Sequence, residues 1–372
     1  MSKIPTSLNT SCLIALLLGL SGCGTGPDVG QHDESVVNVY NWADSIAPGM
    51  IEKFEAEYGI EVNYDIYDSS EVVDVKLLAG GSGYDVVVHS NQFSSRLAPI
   101  GVFEKLDFSR LDNMRHLDPA VMRRIEYAPV RDYQVPYHWG STGYAWNADM
   151  VRERLPNHPM DSADVLFDPE IVSKLADCGV SLLDGPTDLF PMALAYLGLD
   201  PNAVDDESLA RAEAQIKLVR PYIRYFSNQK MMSDLPNKEV CVAMSWSGDY
   251  AAAAARAEEA GIEIDLRYTA PKEGSGLWVD GLFIPSDAPH KDNAYLFMNF
   301  LMRPEIAAAN ASYSNYANAN GASWQLMDPA LLANPAVFPD DAIWEILYPI
   351  KTADPKRERP RTRAFARAKS GI

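Results

Sequence analysis

Three short runs place an indole within a few residues of a carboxylate: Trp42-Ala43-Asp44, Trp246-Ser247-Gly248-Asp249 and Trp278-Val279-Asp280. A further run, Asp184-Gly185-Pro186-Thr187-Asp188, carries acids without the ring, and Ser90 follows an apolar run. Carboxylates accept charge-assisted hydrogen bonds from N–H donors, and ring faces attract cations while covering an aliphatic spacer. Binding of an alkyl chain tipped with ammonium groups uses both at once. A single tryptophan near a strand is more often core than ligand contact. Repetition at several predicted strand ends gives the pattern its weight.

Signatures of bond-making chemistry are missing. HExxH, GxSxG, GxxxxGK[ST] and CxxC do not occur, nor does GxGxxG after a predicted strand. Gly80, Gly81 and Gly83 fall between a predicted helix and a predicted strand, which reads as a turn and not as a phosphate cradle. His32, His89, His116, His138, His158 and His290 show no metal-ligand spacing, so neither metal nor cofactor is expected. His89 follows a predicted strand, where ligand crevices form, but that position equally suits a half-buried polar neighbour of the cleft. Asp249 and Asp280 could imitate the acid pair of a glycosidase. An enzyme is nevertheless disfavoured.

For the candidate residues to meet, strand ends must converge, because parallel sheets bind ligands at their carboxyl ends. Residues 37–42, 60–67 and 84–88 read as strands, with helices over 46–58 and 71–79 between them. A second series follows, with strands at 179–183, 223–226 and 240–246 and helices at 189–197 and 249–260. An apolar strand over 277–285 and a long amphipathic helix over 294–311 return to the first series. Such alternation predicts an α/β fold with a mostly parallel sheet. Two lobes are expected, 36–138 plus 272–320 and 139–271 plus 321–372, with a ligand cleft between them. The hinge crossings are expected at 135–139 and 269–274, extended segments flanked by Pro or Gly.

The chain has 372 residues, which suits two domains, and its 47% hydrophobic content supports a folded core. Its net charge of −19 repels nucleic acid and anionic lipid and concentrates cations nearby, although it serves solubility equally well. Lys3 and the apolar run 13–20 form a leader too short to span a membrane. The leader, 1–22, ends at Leu20-Ser21-Gly22-Cys23, which resembles the bacterial lipobox and implies lipidation of Cys23. Residues 23–35 then read as the lipidated cysteine and a flexible tether. Cys178 and Cys241 remain as an even pair in an oxidising compartment, where a disulfide is the simplest expectation. A metal or redox pair would call for a CxxC spacing or nearby histidines. The basic tail 351–372 could dock on a permease or pack against the acidic body, and the second reading is preferred because charge runs usually lie on solvated faces.

Several stretches together carry a family resemblance: YNWADSIAPGMIEKFEAEYGIEVNYD, GYDVVVHS, CGVSLLDGPTDLF, CVAMSWSGDY, YTAPKEGSGLWVDGLFIP, NYANAN and RTRAFARAKSG. From about Val36 onward the chain resembles the periplasmic putrescine-binding proteins of polyamine ABC transporters. The resemblance implies a type II-like, two-lobed binding protein that closes on a polyamine and hands it to an ABC permease. A periplasmic location is expected, with contact to the membrane through the Cys23 lipid only, and the chain is expected to be a monomer. Carried over by position, it puts Trp42, Trp246, Trp278 and Tyr316 in an aromatic box, Asp249 and Asp280 on one ammonium, Asp188 near the other, and Ser90 as a hydroxyl contact. Asp44, from the Trp42-Ala43-Asp44 run, joins the expected ligand-binding set on the residue pattern alone, and the resemblance puts the disulfide on Cys178 and Cys241. Where the family motif commonly reads NWSDY, this chain has Asn41-Trp42-Ala43-Asp44-Ser45, and Asp188 stands where Glu is frequent. These departures imply a roomier pocket at the Ser45 end, open to agmatine, cadaverine or spermidine beside putrescine. Rival readings are a binding protein of the same fold for another solute and a polyamine-sensing lipoprotein without a transport role.

Overall fold

Valines and aromatic residues alternate with polar ones through the first part of the folded chain, and strands form there. In order come β1 (Val36–Trp42), α1 (Met50–Tyr58), β2 (Glu61–Tyr67), α2 (Ser70–Ala79), β3 (Val86–Ser90) and α3 (Asn91–Leu97). The computed structural model describes residues 35–67, 69–126, 129–351 and 355–371; the leader, Cys23 and all of the expected tether except Ser35 lie outside them. β1 pairs in parallel with β2 along its whole length and with β3 near its middle. Burial of consecutive residues Val39, Tyr40 and Asn41 shows that both faces of β1 are covered, as inside a parallel sheet.

The chain then crosses in β4 (Gln134–Asn147), a fourteen-residue strand whose residues are nearly all buried. The second series follows as β5 (Val180–Leu182), α4 (Pro186–Tyr196), α5 (Asp206–Val219), β6 (Ile223–Phe226), β7 (Val242–Trp246), α6 (Ser247–Glu259) and β8 (Leu266–Thr269). The return is β9 (Ser275–Phe283), α7 (Lys291–Leu301), α8 (Pro304–Ser314) and β10 (Ala317–Asn318). β11 (Leu347–Pro349) and α9 (Pro355–Ser370) close the chain.

These strands form one sheet ordered β2-β1-β3-β9-β4-β7-β5-β6, with β8 and β10 added on β4 and β11 on β9. The wings β2-β1-β3 and β7-β5-β6 are parallel, as expected. The centre is antiparallel throughout, from β3 to β9 to β4 to β7. Local alternation reports only consecutive elements, whereas β4 and β9 are distant in the chain and run opposite ways between the wings. Residues 135–139 lie inside β4, and 269–274 run from the end of β8 to the turn before β9.

Two large apolar cores flank the sheet. One gathers Val37, Val86, Phe54, Phe297 and Phe300, and the other includes Val180, Val242, Phe190, Leu209, Ala364 and Ala368. The last two come from α9, so the basic tail is a helix that packs on α5. Arg367 donates to Glu213 at 2.9 Å and Lys369 to Asp184 at 2.7 Å, which matches the preferred reading of its charge. The single helix expected over 294–311 is instead α7 and α8, because Pro304 holds Arg303 extended at ψ 138° and starts a new helix. Cys178 and Cys241 form a disulfide with Cα atoms 5.5 Å apart, just ahead of the neighbouring strands β5 and β7.

Candidate functional site

Trp42, Ser90 and Trp246 are the last residues of β1, β3 and β7. Helices begin straight after these strands or beside them, which sets Asp188 in the first turn of α4 and Asp249 in the first turn of α6. Trp278 and Asp280 lie within β9 and not at a strand end, which corrects the reading of that segment. Their spacing of two still puts both side chains on one face. Tyr316 comes just after Asn315, whose left-handed φ of 60° terminates α8. With Asp44, all nine candidate residues line one cavity of about 230 Å³.

Two glycines let the rings close in. A Cβ on Gly248 would stand 2.2 Å from the Tyr316 ring, and one on Gly140 would stand 2.5 Å from the Trp278 ring. Trp278 meets Tyr316 edge-on with centroids 5.1 Å apart, and Trp42 packs on Tyr67 at 4.5 Å. Aromatic walls built this way present ring faces and edges to the cavity without mobile side chains between them.

The acids are held but not neutralised. Asp188 Oδ1 accepts from Trp246 Nε1 and from Thr142 Oγ1, each at 3.1 Å. Asp249 Oδ1 accepts from the Tyr316 hydroxyl at 2.6 Å. Burial pushes Asp188 and Asp249 up to about 6, against the pull of these donors. Asp280 is pushed up to about 7 by burial; the Trp42 indole N–H offsets part of the rise while falling short of a well-formed hydrogen bond. The ion pairs of the cavity wall, Arg256 with Asp44 at 3.4 Å and Lys369 with Asp184 at 2.7 Å, involve other acids. Among the described residues, Ser90 Oγ and Trp278 Nε1 are buried without a partner. Buried carboxylates lacking a cation are costly to ionise, so the cavity favours a ligand that brings positive charge.

Asp44 is the outlier among the nine. Its backbone has a φ of 57°, and its exposed carboxylate faces Arg256 and the Tyr313 hydroxyl, both at 3.4 Å. Sequence reading missed Arg256, Tyr67, His138, Tyr313, Glu71 and Thr187, all of which line the cavity. Arg256 was within reach, since it follows Asp249 by two helical turns and so shares its face. His138 is placed by register opposite Asp280 in the β4–β9 pair, which no local pattern announces. Burial lowers the His138 ring to about 3, so it stays neutral. His89 is fully buried behind the cavity, bonded to Asp74 at 2.9 Å, and does not line it.

A cleft where parallel strand ends from two wings meet across antiparallel crossing strands is the architecture of extracytoplasmic binding proteins. The chain belongs to the bacterial extracellular solute-binding protein family, whose model matches residues 49–339. It is 42% identical to the putrescine-binding periplasmic protein SpuD of Pseudomonas aeruginosa, over 95% of this chain and 98% of that one. Identity to the putrescine-binding periplasmic protein PotF of Escherichia coli is 40%, over 98% and 100% of the two chains. Among solved structures it is similar to a putative spermidine/putrescine ABC transporter from Listeria monocytogenes, with a TM-score of 0.80 and 29% identity over 90% of this chain and 99% of that one. These relatives are solute-binding proteins of transport systems and not enzymes. No helix among the described residues is long and apolar enough to cross a membrane.

Proposed function

We propose that the chain captures a polyamine, putrescine or a related diamine, outside the cytoplasm and delivers it to an ABC permease. One observation carries this reading: three buried carboxylates, Asp188, Asp249 and Asp280, share a cavity with Trp42, Trp246, Trp278 and Tyr316, and among the described residues none of the three is ion-paired. The rings cover the methylene chain. Asp249 and Asp280 take one ammonium, Asp188 takes the other through its free oxygen, and Ser90 adds a hydroxyl. The names of the relatives agree with this ligand class.

Capture is coupled to closure of two lobes, 36–138 plus 272–320 against 139–271 plus 321–372. Ligand shifts the population toward the closed form because only that form offers acids and rings from both sides. A lipid on Cys23, joined through the tether, keeps the monomeric chain at the membrane where its permease lies. Calorimetric titration of the soluble chain with putrescine, cadaverine, agmatine and spermidine, beside a neutral sugar and an acidic amino acid, tests the ligand class. Saturable heat from one or more amines and none from the other solutes is the expected result. Heat from the sugar or the acid alone would overturn it.

A further inference from the structure

His138 lines the ligand cavity, is 3% exposed, and packs between phenols: the Tyr137 ring stacks on it with centroids 3.9 Å apart at 28°, and the Tyr316 ring lies 6.3 Å away, also at 28°. A bulge makes this arrangement. Successive residues of a regular strand point to opposite faces, but the β4–β9 register shifts between Pro136 and His138, so Tyr137 and His138 both turn to the side of Asp280. Phenols alongside the ring leave its edge, which carries both nitrogens, as the part open to a ligand.

His138 stands opposite Asp280 in the antiparallel pair, a relation that sets Cβ atoms about 4.5–5.5 Å apart. Asp249 belongs to the same group of side chains, because the Tyr316 hydroxyl donates to it at 2.6 Å while the Tyr316 ring lies beside His138. Burial lowers the proton affinity of His138 with no described charge or hydrogen bond contributing, so the ring is neutral and can stand beside a cation without repelling it. A neutral imidazole has one donor and one acceptor nitrogen, and the side to which the N–H points decides which is which. His138 also borders a second, enclosed cavity of about 10 Å³, shared with Asn318 and Asn320. An N–H directed to that amide-lined side leaves the other nitrogen with its lone pair toward the ligand cavity. Ser90 lies opposite Asp280 on β3, where its hydroxyl can donate to the carboxylate and so supports the acid.

We propose that His138 is a specificity-determining residue, the third acceptor of the ammonium held by Asp249 and Asp280, and that it sets the preference of this end of the cavity for an unsubstituted nitrogen. The inference rests on the polyamine reading above. A primary ammonium carries three N–H donors, which two carboxylates and one ring nitrogen satisfy. An N-methylated ammonium carries two, so it leaves one acceptor unpaired and sets a methyl group against it.

Titration calorimetry of the wild-type chain, His138→Leu and His138→Gln with putrescine and with N,N′-dimethylputrescine tests it; methylation at both ends means that reversing the ligand in the cavity gains nothing. Wild type is expected to prefer putrescine by more than about tenfold, the worth of one hydrogen bond to a charged group. In His138→Leu the putrescine affinity falls about tenfold and the dimethyl affinity less than about threefold, so the preference shrinks. His138→Gln, which keeps an acceptor, retains more of the preference than His138→Leu. Long-range nitrogen–proton NMR of the wild-type chain adds a readout that needs no substitution: putrescine shifts the acceptor nitrogen of His138 while the ring stays neutral. No preference in wild type, parallel losses for both amines in His138→Leu, or a His138 nitrogen that putrescine leaves unmoved overturns the assignment while putrescine binding stands. Binding of neither amine by wild type overturns the polyamine reading itself.

Discussion

Asp280 combines deep burial, a proton affinity raised further than that of Asp188 or Asp249 and, among the described residues, no cation partner, so it gains most of the three from an ammonium ligand. Asp280→Asn is expected to weaken putrescine binding by about 1.5–3 kcal/mol, the worth of a charge-assisted hydrogen bond. Calorimetry reads this directly, and an unchanged affinity removes Asp280 from the site. The same acids set a pH dependence. An ordinary aspartate ionises near 3.8, and burial raises Asp188 and Asp249 to about 6 and Asp280 to about 7. The stability these raised groups lend the empty fold is therefore full below about pH 3.8 and lost as pH climbs through 6 to 7. A cationic ligand favours their ionised forms, so binding at pH 6 releases protons, and affinity falls as pH is lowered from 7.5 to 5. Titrations in buffers of different ionisation enthalpy measure the release, and its absence at pH 6 would contradict the assignment. The ring-acid pairs were legible because each is local in sequence. Thr142, Thr187 and His138 were not, because their places come from sheet register and helix starts that set distant residues side by side.

The start of α6 shows how an element delivers its chemistry. Trp246 ends β7, Asp249 sits in the first turn of the helix, and Gly248 between them leaves room for the Tyr316 ring that bonds Asp249. Gly248→Ala is expected to displace that ring and cost about 1–3 kcal/mol of stability from overpacking, with a fall in amine affinity alongside. Thermal melting and calorimetry on the same variant check both, and loss of neither would show that the ring yields freely. Most elements were readable from period and turn residues, including β1, β2, α2, β6 and the wings they build. Two readings failed for physical reasons. The 294–311 helix ran across Pro304, whose ring excludes a helical Arg303. The antiparallel middle of the sheet is a relation between β4 and β9 that neighbouring periodicities do not encode.

Across the whole molecule, the chain carries a net charge of −19, and the buried acids of its cavity have no counterion among the described residues. The long-range field draws cations toward the cleft, and the local carboxylates fix them there once water is excluded. The two-lobed class was expected from alternating elements and two returns of the chain, and the single sheet with parallel wings and crossing strands supplies its frame. Native mass spectrometry of the soluble chain, stripped of ligand by unfolding and refolding, tests the central claim most directly. Offered an equimolar mixture of putrescine, spermidine, a neutral sugar and an acidic amino acid, the chain should carry one polyamine per molecule. Ions bearing the sugar or the acid, or no added mass at concentrations where related binding proteins saturate, would contradict it.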